Sequence, residues 1–346
     1  MNILFLEGDM SRTGGTERMT AWLATELSPK YNVHIISLKF DKNNIFFPLS
    51  DAVTHTALKN GNLLNQIFQI RKYIKKHKID TVINVDIGLG IFGILATIFT
   101  KTNVITWEHS NFYNNWGSST YPLLRNIAAK FSNKMVVLTD KDKQNYLSNI
   151  RLCKEVTVIP NPMGELNNDY DVNSKTILSV GLFSIIKRFD RIIPIAKEIF
   201  EKHPDWSWVI CGDGPERKNL ENQICENNLK DKIILTGNVP NITDFYKNAA
   251  MFVLTSQMEG LPMVLLEAKA HKLPIVAFDI QTGPSDIIHN NQNGFLIEPY
   301  NIGTMAEKID LLIENADLRK QFSNNTILDT EKFSQEKIIK QWINLL

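Results

Sequence analysis

The chain has 346 residues, of which 43% are hydrophobic and 22% are charged, and its formal net charge is +1. This length is long for one compact domain and sufficient for two, and the composition is that of an ordinary globular protein rather than a disordered or fibrous one. A net charge so close to zero gives no indication of a nucleic-acid partner.

Strand and helix patterns alternate through the first half of the chain. Short runs rich in Val, Ile, Leu and Thr predict buried parallel strands at Asn2–Leu6, Val33–Leu38, Thr81–Val85, Asn103–Trp107, Lys134–Leu138 and Val156–Ile159. Helices are predicted between them, most clearly over Glu17–Leu27 and Leu64–Lys76. The second of these is amphipathic, with isoleucines on one face and basic residues on the other.

Residues 160–174 read PNPMGELNNDYDVNS and interrupt this rhythm, which predicts a linker. The alternation then restarts, with strands predicted at Thr176–Val180, Trp208–Ile210, Ile233–Leu235, Met251–Leu254, Ile275–Phe278 and Phe295–Ile297. We therefore predict an α/β protein made of two doubly wound, Rossmann-like domains that face a central cleft. The predicted boundaries are 1–163 for the first domain, 164–174 for the linker and 175–330 for the second domain. A helix within 331–346 is expected to pack back on the first domain.

Cellular location is suggested by three features of the sequence. Cys153, Cys211 and Cys225 form no CxxC pair and are too few for a disulfide framework, which predicts a reducing cytoplasm. The start, MNILFLEGDM, is predicted to be a buried strand rather than a signal peptide. The most hydrophobic stretch, Ile87–Phe99, is shorter than the ~20 residues of a membrane span and is predicted to be core.

The strongest functional signal is the segment EGLPMVLLE, which runs from Glu259 to Glu267 directly after a predicted strand. Gly260 and Pro262 open a helix there, and the N–H groups at a helix amino terminus bind phosphate without side chains. Eight residues at ~1.5 Å rise place the two carboxylates roughly 12 Å apart, too far to share one proton but suited to two ends of an extended ligand. Two unremarkable glutamates remain the alternative.

Two glycine-rich turns also follow predicted strands. In SRTGGTE, the adjacent Gly14 and Gly15 allow a phosphate or sugar to approach the backbone closely. In CGDGPE, Gly212 begins a turn that is a weak signal alone. Tight strand-to-helix turns are the alternative for both.

Three side chains at strand ends complete the candidates. Lys187 and Arg188 follow the strand Thr176–Val180, where basic residues suit a diphosphate. His109 follows the strand Asn103–Trp107, at the carboxyl end where ligands bind in such sheets. Solvated charges and a structural histidine are the alternatives.

Two further patterns are interpreted as structural. GLGIFG, at residues 88–93, matches GxGxxG, but it lies in the third strand–turn–helix unit, so close helix packing explains it better than a nicotinamide cofactor. DKD at residues 140–142 and DYD at residues 169–171 resemble metal–diphosphate motifs. Thr139 and Asp142 form a helix-capping pattern and the second motif falls in the linker, so no metal is expected.

Together these motifs resemble the retaining glycosyltransferases of family 4, which have the GT-B fold. The resemblance covers most of the chain and is strongest from Ile177 to Pro299. It is carried by the stretches SVGLFSIIKRFDRII, WVICGDGPERKNLE, ILTGNV, LTSQMEGLPMVLLEAKAHKLPIVAFD, TGPSDII and NGFLIEP, and in the first half by GGTER and EHS.

The resemblance implies specific roles for three catalytic residues. Glu259 contacts the transferred sugar near its 3- and 4-hydroxyls, Lys187 clamps the diphosphate, and His109 contacts the sugar at its 6-hydroxyl. The implied reaction is a front-face displacement with retention, in which the departing diphosphate oxygen helps to deprotonate the acceptor. It needs no protein nucleophile.

The resemblance also implies a set of donor-binding residues. They hold the ribose through Glu267, the diphosphate through the N–H groups of Leu261, Met263 and their neighbours, and the base between two loops. The set is Gly14, Gly15, Arg188, Gly212, Asn238, Val239, Gly260, Leu261, Pro262, Met263 and Glu267.

The chain departs from the family pattern at Leu182, where the family usually has an arginine after the glycine that ends the strand. One fixed charge on the diphosphate is therefore missing. Arg188, next to Lys187, is a candidate to replace it; a slower or inactive enzyme is the alternative. Met258 also stands where an aromatic or small residue is common.

The implied function is transfer of a hexose or N-acetylhexosamine from a UDP-sugar, in preference to a GDP-sugar, with no cofactor. The expected acceptor is lipid-linked or a polysaccharide, as in capsule or O-antigen assembly. Residues 1–160 carry 19 Lys and Arg against 12 Asp and Glu, so this basic half is expected to contact an anionic membrane at its cytoplasmic face, with Lys72, Lys75 and Lys76 contributing. A nucleotide-sugar epimerase and a non-catalytic nucleotide-sugar-binding protein are the alternatives.

Overall fold

A computed structural model describes residues 1–40, 44–59, 61–167 and 169–346. The chain folds into two compact units. Unit 1 comprises Met1–Asn161 with Glu336–Leu346, and unit 2 comprises Pro162–Gln335.

Unit 1 is built on a parallel sheet of seven strands in the order β3-β2-β1-β4-β5-β6-β7. The strands are β1 (Asn2–Glu7), β2 (Asn32–Ser37), β3 (Thr54–Ala57), β4 (Thr81–Val85), β5 (Asn103–Trp107), β6 (Lys134–Val137) and β7 (Glu155–Val158). All six predicted strands are confirmed to within one residue. Strand β3 was not predicted, because this edge strand, THTA, is only half-buried and lacks an apolar run.

In the part of residues 1–161 that the structure describes, five α-helices lie between the strands. They are α1 (Gly15–Leu27), α2 (Leu63–His77), α3 (Ile87–Thr97), α4 (Tyr121–Phe131) and α5 (Asp140–Asn149). Ile70 and Ile74 of α2 pack into the core beside β1 and β4. The hydroxyl of Thr139 accepts a hydrogen bond from the Asp142 N–H at 3.1 Å, which confirms the predicted cap of α5.

Unit 2 contains a six-stranded parallel sheet in the order β10-β9-β8-β11-β12-β13. Its strands are β8 (Thr176–Val180), β9 (Ser207–Cys211), β10 (Ile233–Gly237), β11 (Met251–Leu254), β12 (Ile275–Phe278) and β13 (Gly294–Ile297). Its helices are α6 (Ile192–Lys202), α7 (Arg217–Glu226), α8 (Thr243–Lys247), α9 (Met263–Ala270), α10 (Pro284–Ile287), α11 (Ile302–Glu314) and α12 (Ala316–Asn324). The second set of predicted strands is confirmed to within two residues, so both halves are doubly wound α/β domains.

The last helix, α13 (Gln335–Leu345), returns to unit 1. The fully buried ring of Trp342 meets the Trp107 ring edge-on, with the ring centres 4.9 Å apart. Lys134 Nζ donates to the carbonyl oxygen of Leu345 at 3.0 Å. Among the described residues, no helix has both the length and the apolar character needed to cross a bilayer.

The glycines of GLGIFG serve helix packing, as predicted. A Cβ at Gly93 would lie 2.0 Å from Asn84 Oδ1 on β4, and one at Gly90 would lie 3.1 Å from the Cβ of Ala128 on α4. Glycine is therefore required at position 93 for α3 to lie this close to β4, and at position 90 it permits a tight contact with α4.

Strand order identifies where ligands bind in each sheet. The direction of winding reverses between β1 and β4 in unit 1 and between β8 and β11 in unit 2. Doubly wound sheets bind ligands outside the carboxyl ends of the strands at this switch point. The loops after β1, β8 and β11 therefore lie where this fold binds ligands.

Candidate active site

The switch point of unit 2 brings Lys187 and Glu259 together. Lys187 Nζ lies 2.6 Å from Glu259 Oε1, and the two side chains are 22% and 10% exposed. The loops that carry them are joined by two further hydrogen bonds, from Thr255 Oγ1 to the Lys187 carbonyl at 3.1 Å and from the Gln257 N–H to the Ile186 carbonyl at 2.8 Å. A cation and a carboxylate are thus fixed side by side where this fold binds ligands.

A third loop, which carries Thr282 and Gly283, packs against the turn that carries Glu259. Thr282 Oγ1 donates to the Glu259 carbonyl at 2.6 Å. Gly283 has φ +99°, and a Cβ there would lie 2.5 Å from Pro262 Cδ and 2.8 Å from the Gly260 carbonyl. Residues 282 and 283 were not singled out as site residues from the sequence, although they belong to the stretch TGPSDII, because their role arises from contact with a distant loop.

The amino terminus of α9 is shaped to hold an anion. Pro262 occupies the N-cap position, and no side chain caps this end of the helix. Leu261 is buried, whereas Gly260 and Met263 are half-buried. Because the first N–H groups of a helix have no acceptor within it, the helix can offer the Met263 N–H to a diphosphate. The N–H groups of Gly260 and Leu261, in the turn before the helix, can add to it; Pro262 has none.

Glu267 lies on α9 and is held by a residue that the sequence analysis missed. Tyr246, on α8, donates from its hydroxyl to Glu267 Oε2 at 2.7 Å. The buried Tyr246 ring also stacks on His271, with the ring centres 5.0 Å apart. This contact restricts the Glu267 carboxylate through one of its two oxygens. A lone tyrosine in DFYKN gave no sequence signal.

The loops after β8, β9 and β10 contact one another through the backbone of Gly212. The Gly212 N–H donates to the Gly237 carbonyl at 2.9 Å. Gly212 has φ +135°, and a Cβ there would lie 2.0 Å from the Gly181 carbonyl oxygen. Asn238 and Val239 follow β10 directly, with Asn238 exposed and Val239 half-buried. These residues lie at the same carboxyl edge of the sheet as Lys187.

Arg188 is engaged by a neighbouring carboxylate. Its Nε and one terminal nitrogen donate to Asp190 at 2.9 and 2.8 Å, and these hydrogen bonds lower the pKa of Asp190. Leu182, which stands where the family has arginine, is 58% exposed. Replacement of the missing charge by Arg188 stays a prediction, and it requires Asp190 to share the guanidinium with the donor.

Gly14 and Gly15 lie at the start of α1 in unit 1. A Cβ at Gly14 would lie 2.3 Å from Glu17 Oε2, whereas one at Gly15 would meet nothing within 4 Å. The buried Glu17 accepts a hydrogen bond from Thr16 Oγ1 at 2.9 Å. The turn is therefore closely packed against Glu17 at Gly14, and it leaves open space beside the Cα of Gly15.

His109 follows β5 in unit 1 and is neutral at physiological pH. Burial lowers the pKa of its imidazole to about 3. Its ring packs on Trp107 at 4.1 Å between centres, and Nε2 is buried with no hydrogen-bond partner in the described chain. The adjacent Glu108 fixes the turn by accepting hydrogen bonds from Ser110 N–H at 2.8 Å and Tyr146 hydroxyl at 3.1 Å. A buried nitrogen without a partner is suited to a ligand hydroxyl.

Two other carboxylates that could suggest a metal site, Asp142 and Asp310, have structural partners. Asp142 of DKD accepts a hydrogen bond from the Phe112 N–H at 2.7 Å. His203, Asp310 and Glu314 lie close enough together to hold an ion, but Asp310 already binds His203 at 2.6 Å and Lys202 at 3.0 Å.

Comparison with known proteins places both halves in one class. Residues 167–329 match the family model for glycosyl transferases group 1, and residues 13–163 match that for glycosyltransferase family 4. The chain is similar to an uncharacterized glycosyltransferase of Haemophilus influenzae, with 31% identity over 98% of each chain. It is also 28% identical to a Campylobacter jejuni enzyme named as an α-1,4-N-acetyl-D-galactosaminyltransferase acting on a diphosphoundecaprenol-linked glycan, covering 100% of this chain and 98% of that one.

The fold agrees with solved structures of this class. HepE from Anabaena, solved in complex with UDP-glucose, superposes with a TM-score of 0.84 over 100% of both chains, at 17% identity. The protein is therefore a transferase with the GT-B fold. It belongs to the family 4 glycosyltransferases, as the motifs from Ile177 to Pro299 indicated.

Proposed function

We propose that the protein is a retaining glycosyltransferase that moves a hexose or N-acetylhexosamine from a UDP-sugar to a lipid-linked or polysaccharide acceptor. The observation that carries this proposal is the 2.6 Å pair of Lys187 and Glu259 at the switch point of unit 2. One side chain of the pair suits a diphosphate and the other suits sugar hydroxyls. The product would enter a surface glycan such as capsule or O-antigen.

The donor is proposed to lie across three features of unit 2. The diphosphate rests on the N–H groups of the turn from Gly260 to Met263, with Lys187 as its cation. Glu267, restrained by Tyr246, accepts hydrogen bonds from the ribose hydroxyls. Stabilising the charge that develops on the departing diphosphate is the main catalytic contribution of such a site.

The transfer step is proposed to proceed on one face of the sugar. The bond from the anomeric carbon to the acceptor oxygen forms as the bond to the diphosphate oxygen breaks, and the acceptor proton passes to a diphosphate oxygen. Glu259, paired with Lys187, binds the sugar rather than acting as a nucleophile. His109, with a pKa of about 3, is neutral and contributes a hydrogen bond rather than a proton. No metal or other cofactor is assigned to this step.

The choice of substrates is supported by the names of similar proteins. HepE was solved with UDP-glucose, and the Campylobacter relative is named for a diphosphoundecaprenol-linked acceptor and an α-linked product. We therefore propose a UDP-sugar, with a GDP-sugar as the less favoured donor. Action on a lipid-linked acceptor would place the enzyme at the cytoplasmic face of the membrane.

A donor screen tests this proposal. UDP-glucose, UDP-galactose, their N-acetyl-hexosamine counterparts and GDP-mannose are each incubated with a synthetic diphosphoundecaprenol-linked glycan. Nucleoside diphosphate release is measured, and the product anomer is assigned by NMR. A UDP-sugar is expected to react with retention, and Lys187→Ala is expected to lower kcat/KM at least about a hundredfold. The control is Lys218→Ala, an exposed lysine on α7 of unit 2. An inverted product, or an epimerised donor without transfer, would contradict the proposal.

A further inference from the structure

The outer face of α2 exposes large apolar side chains. Leu64 is 74% exposed and Phe68 is 68% exposed, and residues four apart lie on the same side of a helix. The opposite side of α2 already supplies Ile70 and Ile74 to the core. Leu64 and Phe68 therefore contribute little to the stability of unit 1 through burial.

A second exposed apolar element lies beside α2. Phe99, just after α3, is 99% exposed and has φ +61°, a conformation that a bulky residue seldom adopts. Its position next to α2 is fixed by Arg71, which donates to the carbonyl oxygens of Ala96 at 3.1 Å and Ile98 at 2.7 Å. We name the surface formed by Leu64, Phe68, Ile98 and Phe99, with Arg71, Lys72, Lys75 and Lys101, the α2–α3 face.

The charges of the α2–α3 face all have one sign. Leu63–His77 contains three lysines, one arginine and no acidic residue, and residues 97–102 add Lys101 without an acid. Lys72 and Lys75 continue the row of Leu64 and Phe68 along the helix, since they lie four and seven residues beyond Phe68. Asp80, the next acid along the chain, accepts a hydrogen bond from the Asn2 N–H at 2.7 Å.

We infer that the α2–α3 face docks on an anionic lipid bilayer. Phe68 and Phe99 enter the boundary between head groups and acyl chains, and Lys72, Lys75 and Lys101 contact the anionic head groups. Charge decides between a bilayer and a second copy of the chain, because two such faces would bring lysines against lysines. The basic residues noted in the sequence thus lie beside exposed apolar side chains in the structure.

This inference rests on the proposed function in one respect: docking on a bilayer would bring the active site to a lipid-linked acceptor. The test is co-sedimentation with vesicles of phosphatidylcholine alone, or mixed in equal parts with phosphatidylglycerol. Wild-type protein is expected to bind the mixed vesicles and not the neutral ones. Phe68→Ser with Phe99→Ser, and separately Lys72→Glu with Lys75→Glu, are each expected to lower the partition coefficient at least about tenfold.

Matched controls use exposed side chains of unit 2. Ile234→Ser with Ile327→Ser controls for the loss of apolar surface, and Lys218→Glu with Lys230→Glu controls for net charge. Both are expected to bind vesicles as the wild type does. Unchanged unfolding temperatures confirm that the α2–α3 variants fold.

The outcomes separate this inference from the enzymatic proposal. The α2–α3 variants should retain wild-type release of UDP with a water-soluble acceptor, because none of the altered residues belongs to the donor site. Wild-type protein that stays in solution with both vesicles would overturn the inference, as would variants that bind as tightly as the wild type. A dimer that light scattering detects, and that Phe68→Ser with Phe99→Ser dissociates, would also overturn it.

Discussion

Lys187 and Glu259 are 72 positions apart in the sequence and 2.6 Å apart in the structure. Each was singled out from its place after a predicted strand, but their pairing was not predicted, because a single sequence carries no signal for contact between distant loops. The same limit applies to Tyr246 and Thr282, which hold Glu267 and the Glu259 carbonyl. Residue types at strand ends were predictable, and their supporting partners were not.

Leu182 allows a direct test of the diphosphate clamp. Leu182→Arg is expected to add a charged hydrogen bond to the diphosphate, which is worth about 1.5–3 kcal/mol. The Kd for UDP should therefore fall about tenfold or more in titration calorimetry at fixed ionic strength. Leu182→Met is the control, since it preserves the apolar side chain. Equal UDP affinity of the arginine and methionine variants would refute a diphosphate position next to residue 182.

Glu7, at the end of β1, predicts a pH dependence of stability. Burial, with a smaller contribution from Glu17, raises the pKa of Glu7 from 4.5 to about 8. The folded state therefore holds a proton that the unfolded state releases, and stability is lost as pH rises between these values, by up to about 1.4 kcal/mol per pH unit.

Glu7→Gln should remove this dependence and exceed the wild type in stability near pH 8. Urea unfolding from about pH 5 to about pH 8 measures it. The matched control is Glu26→Gln, an exposed residue of α1. Parallel pH profiles for Glu7→Gln and the wild type would show that Glu7 is ionised in the folded protein.

At the scale of elements, strands were predicted best. Buried parallel strands are continuous apolar runs bounded by turns, which is why β4, β5, β8, β11 and β12 were placed to the residue. The half-buried edge strand β3 has no such run. Glycine-rich turns were located and the packing role of Gly93 was predicted, whereas the support that Gly283 gives to the site is visible only in the structure.

Gly283→Ala tests the support of the donor turn. The added Cβ would lie 2.5 Å from Pro262 Cδ in a backbone of φ +99°, so the turn from Gly260 to Pro262 must move. Small displacements of positioning groups can cost about a hundredfold in rate, and kcat/KM is expected to fall at least about tenfold. Steady-state kinetics measure this effect. Gly303→Ala is the control, because its Cβ would meet nothing nearer than 3.9 Å. Wild-type kinetics for Gly283→Ala would contradict this role.

At the scale of the whole molecule, the sequence indicated two doubly wound units, and each has its own parallel sheet and its own switch point. The return of α13 to unit 1 buries Ile338, Trp342 and Leu345 of this helix, and the Trp342 ring meets that of Trp107. Assignment to the family 4 glycosyltransferases follows from motifs that are spread over both units. Specificity for the donor sugar and for the acceptor depends on contacts between side chains and ligands. These two properties were therefore the least predictable from the sequence.

Transfer is proposed to depend on Glu259 at the switch point of unit 2. The most direct measurement is the initial rate of UDP release with the preferred donor and acceptor, for wild type, Glu259→Gln and the exposed control Glu298→Gln. Loss of a charged contact to the sugar should lower kcat/KM at least about a hundredfold in Glu259→Gln, with Glu298→Gln unchanged. Glu259→Gln protein that folds and turns over at the wild-type rate would contradict this role of Glu259.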